Sequence, residues 1–291
     1  MATLFESFTE GTGYVAVGYV YYKGQTFTPS QGHRITSVKL KLSQYSSPGK
    51  PIGTLTVDIT ATDADGLPTS VLCSGTIDGD SLSAAPNYVW YEITLGAGYI
   101  LNSGSKYAIT ARAPNAYPGN SYVYWQFASD GGYSNGNQIY SNDSGSTWYN
   151  GSGDSTFEDW GIALPTVTTL DATNITYNSA ELWGTLTQST DYPSNACYFG
   201  YGKTIGMGSD ISAGTFTKST SFHATATSLE KNMVYYFYAY AQYDSNYATG
   251  SIKYFTTKWA NPESQAGYVW IEGTKLHYFD SSGVEHAILG S

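Results

Sequence analysis

Charge is scarce in this chain. Of its 291 residues only 12 % are Asp, Glu, Lys or Arg, and just two are arginine, Arg34 and Arg112. Thirteen cations against 23 acids leave a net charge of −10, and the cations stand singly. A phosphate backbone is bound by clustered Lys or Arg that release counterions, so a nucleic-acid partner is not expected. The same balance opposes adsorption to an anionic membrane. Cysteine is scarce too. Cys73 and Cys197 fall in different expected domains, which favours free buried thiols over a bridge and fits synthesis in a reducing cytoplasm.

Long apolar runs are missing as well. The stretch Tyr14 to Tyr22 is about half as long as the roughly 20 residues of a membrane-spanning helix. Glu6 and Glu10 precede it, the first lysine is Lys23, and no A-x-A site follows. It reads as a buried first strand and not as a signal peptide, and no membrane insertion is expected. Familiar catalytic patterns are also lacking: no G-x-S-x-G, H-E-x-x-H, phosphate-cradling Gly loop or Cys/His pair of known spacing occurs. Glycoside hydrolysis would need two carboxylates brought to a cleft. Glu92, Glu158 and Asp159 sit on strands or turns without a supporting pattern, so a non-enzymatic protein is expected.

What the chain does have is 28 Tyr and 32 Gly, with Thr- and Ser-rich segments broken by Gly, Asn and Asp. That is the composition of short strands and turns. Residues 1–163 alternate with a period of two: Val38, Leu40 and Leu42 against Lys39, Lys41 and Ser43, then Leu55, Val57 and Ile59 against Thr56, Asp58 and Thr60. Such alternation buries one face of an antiparallel sheet. Further strands are predicted at Tyr88 to Leu95, Lys106 to Arg112, Tyr122 to Ala128 and Phe157 to Ile162, giving an all-β jelly-roll sandwich.

Aromatic faces stack on pyranose rings, and this module offers several. Trp125 alternates in phase with Val123 and Phe127 and is assigned to the core. Trp90, Tyr133 and Tyr149 remain as candidate glycan-binding residues. No cofactor is expected. Asp63 and Asp65 form the one candidate calcium site, although the later ligands of a calcium loop are missing; a turn capped by its own Asp side chains is the competing account. Ser141 to Trp148 fits the Asp-box pattern S-x-D-x-G-x-T-W. It occurs once, which does not support a propeller, and casts Asp143 as a turn residue, with Gly145 at positive φ and Trp148 packed beneath the turn.

Three resemblances give these segments a setting. QTFTPSQGHRITSVKLKL, ATDADGLPTS and GSKYAITARAP, with the later NSYVYWQF, resemble extracellular jelly-roll domains of the carbohydrate-binding-module and choice-of-anchor kind. In residues 164–258, TNITYNSAELWGTLT, CYFGYGKTIGMGS and VYYFYAYAQYDSN resemble a bacterial fibronectin-III-like sandwich. Leu229 stands six residues before Tyr235, the spacing of the tyrosine corner in such sandwiches. Where that family usually has Pro-Gly before the corner, this chain has Lys231 and Asn232, and Asn tolerates the positive φ required. Tyr236, Tyr238 and Tyr240 then face outward as a candidate contact surface.

Residues 259–291 read as a three-stranded meander too short for its own core. Its WIEG and LHYFD runs resemble closing segments of phage and phage-like structural proteins. Trp259, Tyr268, Trp270, Tyr278 and Phe279 are its candidate assembly residues. Extracellular-type modules starting at Met1 without an export signal are expected of a virion surface protein, made in the host cytoplasm and released by lysis. The expected function is therefore a capsid decoration or fibre protein of a bacterial or archaeal virus. It would be homo-oligomeric, joined to other capsid or tail proteins, and able to contact host-surface glycan. A cell-surface or secreted carbohydrate-binding adhesin is the alternative.

Overall fold

The computed structural model describes residues 2–259, 269–272, 275–279 and 285–288. The chain divides into two compact units, Met1–Leu164 and Pro165–Ser291. Among the described residues no helix is long and apolar enough to cross a membrane.

The first unit opens with β1 (Thr3–Phe8), β2 (Gly13–Val17), β3 (Tyr22–Phe27) and β4 (His33–Ser46). It continues through β5 (Thr54–Thr62), β6 (Pro68–Asp78), β7 (Val89–Leu101), β8 (Tyr107–Arg112) and β9 (Ser121–Ala128). β10 (Gln138–Ser141), β11 (Tyr149–Asn150), β12 (Asp154–Ser155) and β13 (Phe157–Ala163) close it. Seven strands form one sheet along the path β1-β13-β4-β9-β12, with β2 beside β9 and β7 beside β4. Six form the other, β11-β10-β3-β8-β5-β6. The core is shared between them: Val38, Leu40, Leu42, Val123 and Trp125 of the first sheet lie in one cluster with Phe27, Leu55, Val57, Ile59 and Ile109 of the second. This is the jelly-roll sandwich that the alternation predicts.

One expected strand is overturned. Tyr14 to Tyr22 is neither a single strand nor the first. β1 precedes it, and the run breaks into β2 of the larger sheet and β3 of the smaller. Between them Gly18 and Tyr21 bridge each other, and Tyr19 takes φ +54° while its amide bonds to Ala113 O at 2.9 Å. The chain changes sheets here, and a run of uniformly apolar residues carries no mark of such a crossing.

The second unit contains β14 (Thr166–Thr169), β15 (Ala180–Thr187), β16 (Asn195–Gly202) and β17 (Ser209–Phe216). β18 (Thr220–Ala226), β19 (Val234–Tyr243), β20 (Asn246–Thr249) and β21 (Lys253–Thr256) complete its sandwich. A three-stranded sheet, β14-β15-β18, packs against β17-β16-β19-β20, with β21 also on β19. Their core includes Leu182, Leu186, Phe199, Phe222, Phe237 and Ala239. The tyrosine corner is present: the Glu230 amide donates to Tyr235 Oη at 3.0 Å, and Asn232 sits at φ +52°. Tyr235→Phe removes the acceptor of a partly buried amide, an expected loss of about 1 kcal/mol. Urea unfolding measures it, and an unchanged midpoint would refute the role given to this hydroxyl.

The C-terminal meander consists of β22 (Val269–Glu272), β23 (Lys275–Phe279) and β24 (Glu285–Ile288), paired in that order. Trp259 is exposed, and Tyr278 stacks on His286 at 5.0 Å. Tyr268 lies outside the described residues, as do the side chains of Trp270 and Phe279. Cys73 and Cys197 are free. Burial pushes the Cys73 thiol up to about 12, helped by the charges of Asp58 and Asp159, and that of Cys197 up to about 11.

Candidate functional site: an aromatic sheet face

Backbone register turns scattered aromatics into a surface. Ile93 and Leu95 of β7 are buried and Tyr91 packs against the core, so Trp90, one residue before Tyr91 and out of phase with all three, faces outward. Trp90 pairs with Lys41 of β4. Val123 and Trp125 of β9 are buried, which sends Tyr122 and Tyr124 to the same outer face. Tyr122 pairs with Tyr45, and Tyr124 with Ser43. On the far side of β9, Tyr14 of β2 pairs with Gln126. Tyr88 stands just before β7 and completes the group.

The rings touch. Tyr124 is central: its centroid lies 4.4 Å from Tyr14, 6.4 Å from Tyr45 at 17° and 6.4 Å from Tyr122 at 9°. Tyr14 reaches Tyr88 at 6.5 Å. Ser43 points outward by register, yet none of it is exposed; the tyrosines roof it over. Tyr14 and Tyr45 remain 55 % and 47 % exposed, so the group covers the sheet without being covered itself. Burial raises the Tyr124 phenol, as do the neighbouring tyrosines after it, and Tyr88 is raised chiefly by burial. These hydroxyls therefore stay protonated, able both to donate and to accept. A contiguous aromatic patch of this kind is a candidate contact surface.

The face becomes charged toward β13. Lys39 pairs in register with Glu92 on one side and Glu158 on the other, and its ammonium lies 4.2 Å from the Trp160 ring. Ser37 donates to Glu92 at 2.7 Å and Trp160 Nε1 to Glu158 at 2.7 Å. Two of the carboxylates noted in the sequence thus share a face, but each is held by its own donor on an open sheet, with a cation between them. Asp159 points the other way, into the core, where it meets His33.

The other expected residues are placed differently. Tyr133 is no platform: it packs edge-on against Phe157 at 5.2 Å and beside Phe8, and its hydroxyl donates to Glu6. The loop that carries it is pinned where Asp154 accepts the Tyr133 amide at 3.0 Å. Tyr149 is exposed but stacks on Tyr140 at 5.5 Å at the edge of the six-stranded sheet, apart from Trp90. Asp63 Oδ1 accepts the amides of Asp65 and Leu67 at 3.0 and 2.9 Å, the self-capped turn. Among the described residues no three His, Cys, Asp or Glu side chains converge as a metal site.

In the Asp-box turn, Asp143 accepts Ser141 Oγ at 2.7 Å and the Thr147 amide at 2.9 Å, and Gly145 has φ +85°. These hydrogen bonds, that of the Thr147 amide first, hold the Asp143 carboxyl below its ordinary range. Tyr22 lies nearer Gly145 than Trp148 does. In the second unit a cleft of about 440 Å³, lined in part by Tyr201, Met207, Ser228 and Tyr235, also contains the paired Lys203 and Glu230.

Tyr236, Tyr238 and Tyr240 do alternate with buried Tyr235, Phe237, Ala239 and Ala241, and their rings line the outer face of the five-stranded sheet.

Tyr14, Tyr45, Tyr88 and Tyr122 were not singled out from the sequence. Outward alternation flags Tyr122 together with Tyr124, but the other three join the group only through pairing between strands.

Comparison with known proteins adds little. No family model and no curated protein matches the chain. Among solved structures, the sensor domain of the anti-sigma factor RsgI4 in Pseudobacteroides cellulosolvens is 19 % identical, with 36 % of this chain and 100 % of that one covered at a TM-score of 0.28. A fibronectin type III domain from the human KIAA0970 protein is 18 % identical, covering 33 % and 76 % at 0.26. Titin domains A168–A170 are 10 % identical, covering 77 % and 99 % at 0.24. Likenesses at such TM-scores carry no argument, and the reading of the site rests on its geometry.

Proposed function

We propose that this chain is a non-enzymatic surface protein that holds glycan on the aromatic face of its first unit, as a decoration or fibre protein of a bacterial or archaeal virus. One observation carries the reading: five tyrosines from four neighbouring stretches of chain lie ring against ring on an open sheet face, and Trp90 turns to the same face beside Lys41. Such a face offers stacking area to the C–H side of pyranose rings and phenolic hydroxyls to their OH groups. The cations on this face are Lys41, 6.0 Å from the Trp90 ring, and Lys39, which sits between two carboxylates. A neutral glycan fits better than an anionic one.

In this reading the C-terminal meander, with Val269 and Ile271 exposed, is the element for attachment or self-association. A glycan array probed with the full chain tests the sugar. Tyr124→Ala and Trp90→Ala are each expected to weaken the best hit about tenfold or more, roughly the loss of one stacked aromatic, with unfolding unchanged. Equal binding by wild type and both variants would sink the site. Mass spectrometry of purified virions tests the setting; recovery instead from the medium of uninfected cells would favour the adhesin.

A further inference from the structure

The second unit carries another aromatic face, built differently. On the outer side of its five-stranded sheet, Tyr238 pairs with Gly200 and Tyr240 with Tyr198, while Asp210 pairs with Gly200 from β17. Tyr236 pairs with Tyr254 on β21. Gly200 is buried although it faces outward. A Cβ placed on it would lie 2.7 Å from Tyr238 Cε1 and 3.0 Å from Cζ. The Tyr238 ring therefore lies down across β16, one face on the glycine backbone and the other turned outward. Only glycine permits this, because any other side chain would lift the ring off the strand.

The surroundings fix that ring and add a polar group beside it. Tyr240 stacks on Tyr198 at 5.2 Å and 18° and touches Tyr238 at 5.5 Å. Its hydroxyl donates to Asp210 Oδ1 at 3.0 Å. Asp210 is exposed, and its Oδ2 has no hydrogen-bond partner among the described residues. A flat aromatic face thus lies next to a carboxylate whose position is set by a neighbouring phenol and whose second oxygen is open to a donor.

We propose that this face is a second glycan site, at which one neutral pyranose stacks on Tyr238 and donates a ring hydroxyl to Asp210. The chemistry selects the ligand. A carboxylate at the rim repels phosphate, sulfate and uronic acids, and no Lys or Arg of the described residues pairs in register with the aromatic row. A free sugar hydroxyl is a donor of the right reach, and the axial hydrogens of a pyranose match an unobstructed ring. The proposal extends the glycan reading to a separate unit but does not depend on the first face.

The test uses the full chain, titrated by calorimetry and saturation-transfer NMR with neutral hexasaccharides of glucose, mannose, galactose and N-acetylglucosamine. Tyr124→Ala blocks the first face. Binding that survives Tyr124→Ala and weakens about tenfold on adding Tyr238→Ala is the expected result. Gly200→Ala, which lifts the ring while keeping every tyrosine, is expected to act like Tyr238→Ala, and Asp210→Ala to weaken binding as well. If Tyr124→Ala alone abolishes binding, this inference falls and the first site stands. If the chain stays folded and no hexasaccharide binds, both fall. If light scattering shows self-association lost with Tyr238→Ala, the face belongs to a second copy of the chain and the inference is overturned.

Discussion

Trp125→Ala is expected to cost the first unit about 3–5 kcal/mol, the range for removing a large buried aromatic. Trp125 is fully buried in the shared core, and its indole Nε1 donates to Thr156 O at 2.6 Å, where the chain passes from β12 to β13. The substitution both opens a cavity and strips a buried carbonyl of its donor. Trp125→Phe separates the two effects: most of the packing remains, and the missing hydrogen bond is expected to cost about 1–3 kcal/mol. Urea denaturation of the full chain reads both. A Trp125→Ala midpoint near wild type would mean that the sandwich core is not packed as described.

Asp159→Ala is expected to be as damaging, about 3–5 kcal/mol, because breaking a buried polar pair strands its partner. His33 and Asp159 are both fully buried and meet at 2.9 Å. His33 Nδ1 lies 3.0 Å from Gln31 O, a carbonyl that can only accept, so Nδ1 carries a hydrogen. Phe5 stacks on the imidazole at 3.8 Å. Alanine leaves Nε2 unpaired beneath that ring.

The same pair makes a pH prediction. Burial raises the Asp159 carboxyl above its ordinary value, and Glu6 adds to the rise, against the opposing hydrogen bond and charge of His33. The folded state therefore holds this proton more tightly than the unfolded chain does. The stabilisation is fully present below the unfolded value, about 3.9, and fades as pH climbs through the raised folded value. Asp159→Asn keeps a neutral polar partner and cannot titrate. The stability difference between wild type and Asp159→Asn should shift against wild type as pH rises from about 4. A difference that stays constant with pH would refute the raised carboxyl.

Some of this was readable residue by residue. Tyr235 could be assigned to its corner because Leu229 and Asn232 lie within six residues of it, and the backbone geometry needed there is local. The Asp143 turn is local for the same reason. The inward sets Val38, Leu40 and Leu42 of β4 and Leu55, Val57 and Ile59 of β5 follow from alternation, but Ile35 joins the core across a register shift in β4, and Asp58 and Thr60 on the other face of β5 are buried as well.

Tyr133 could not be placed in this way: it lies among glycines with no periodicity, and what buries it is a distant core formed by Phe8 and Phe157. Nor could the break at Tyr19, where the chain moves between sheets that only the completed fold defines.

By itself, then, the sequence determined the alternating apolar faces of its regular strands, where tight turns fall and that the chain is built of strands, because those depend on neighbours a few residues away. Which outward tyrosines meet was decided by tertiary structure. Tyr14, Tyr45, Tyr88 and Tyr124 belong to segments up to 110 residues apart, and strand order and register bring them together. Tyr238 lies flat for the same reason: its partner across the sheet, Gly200, is 38 residues away in the chain, and the missing side chain there gives the ring its place.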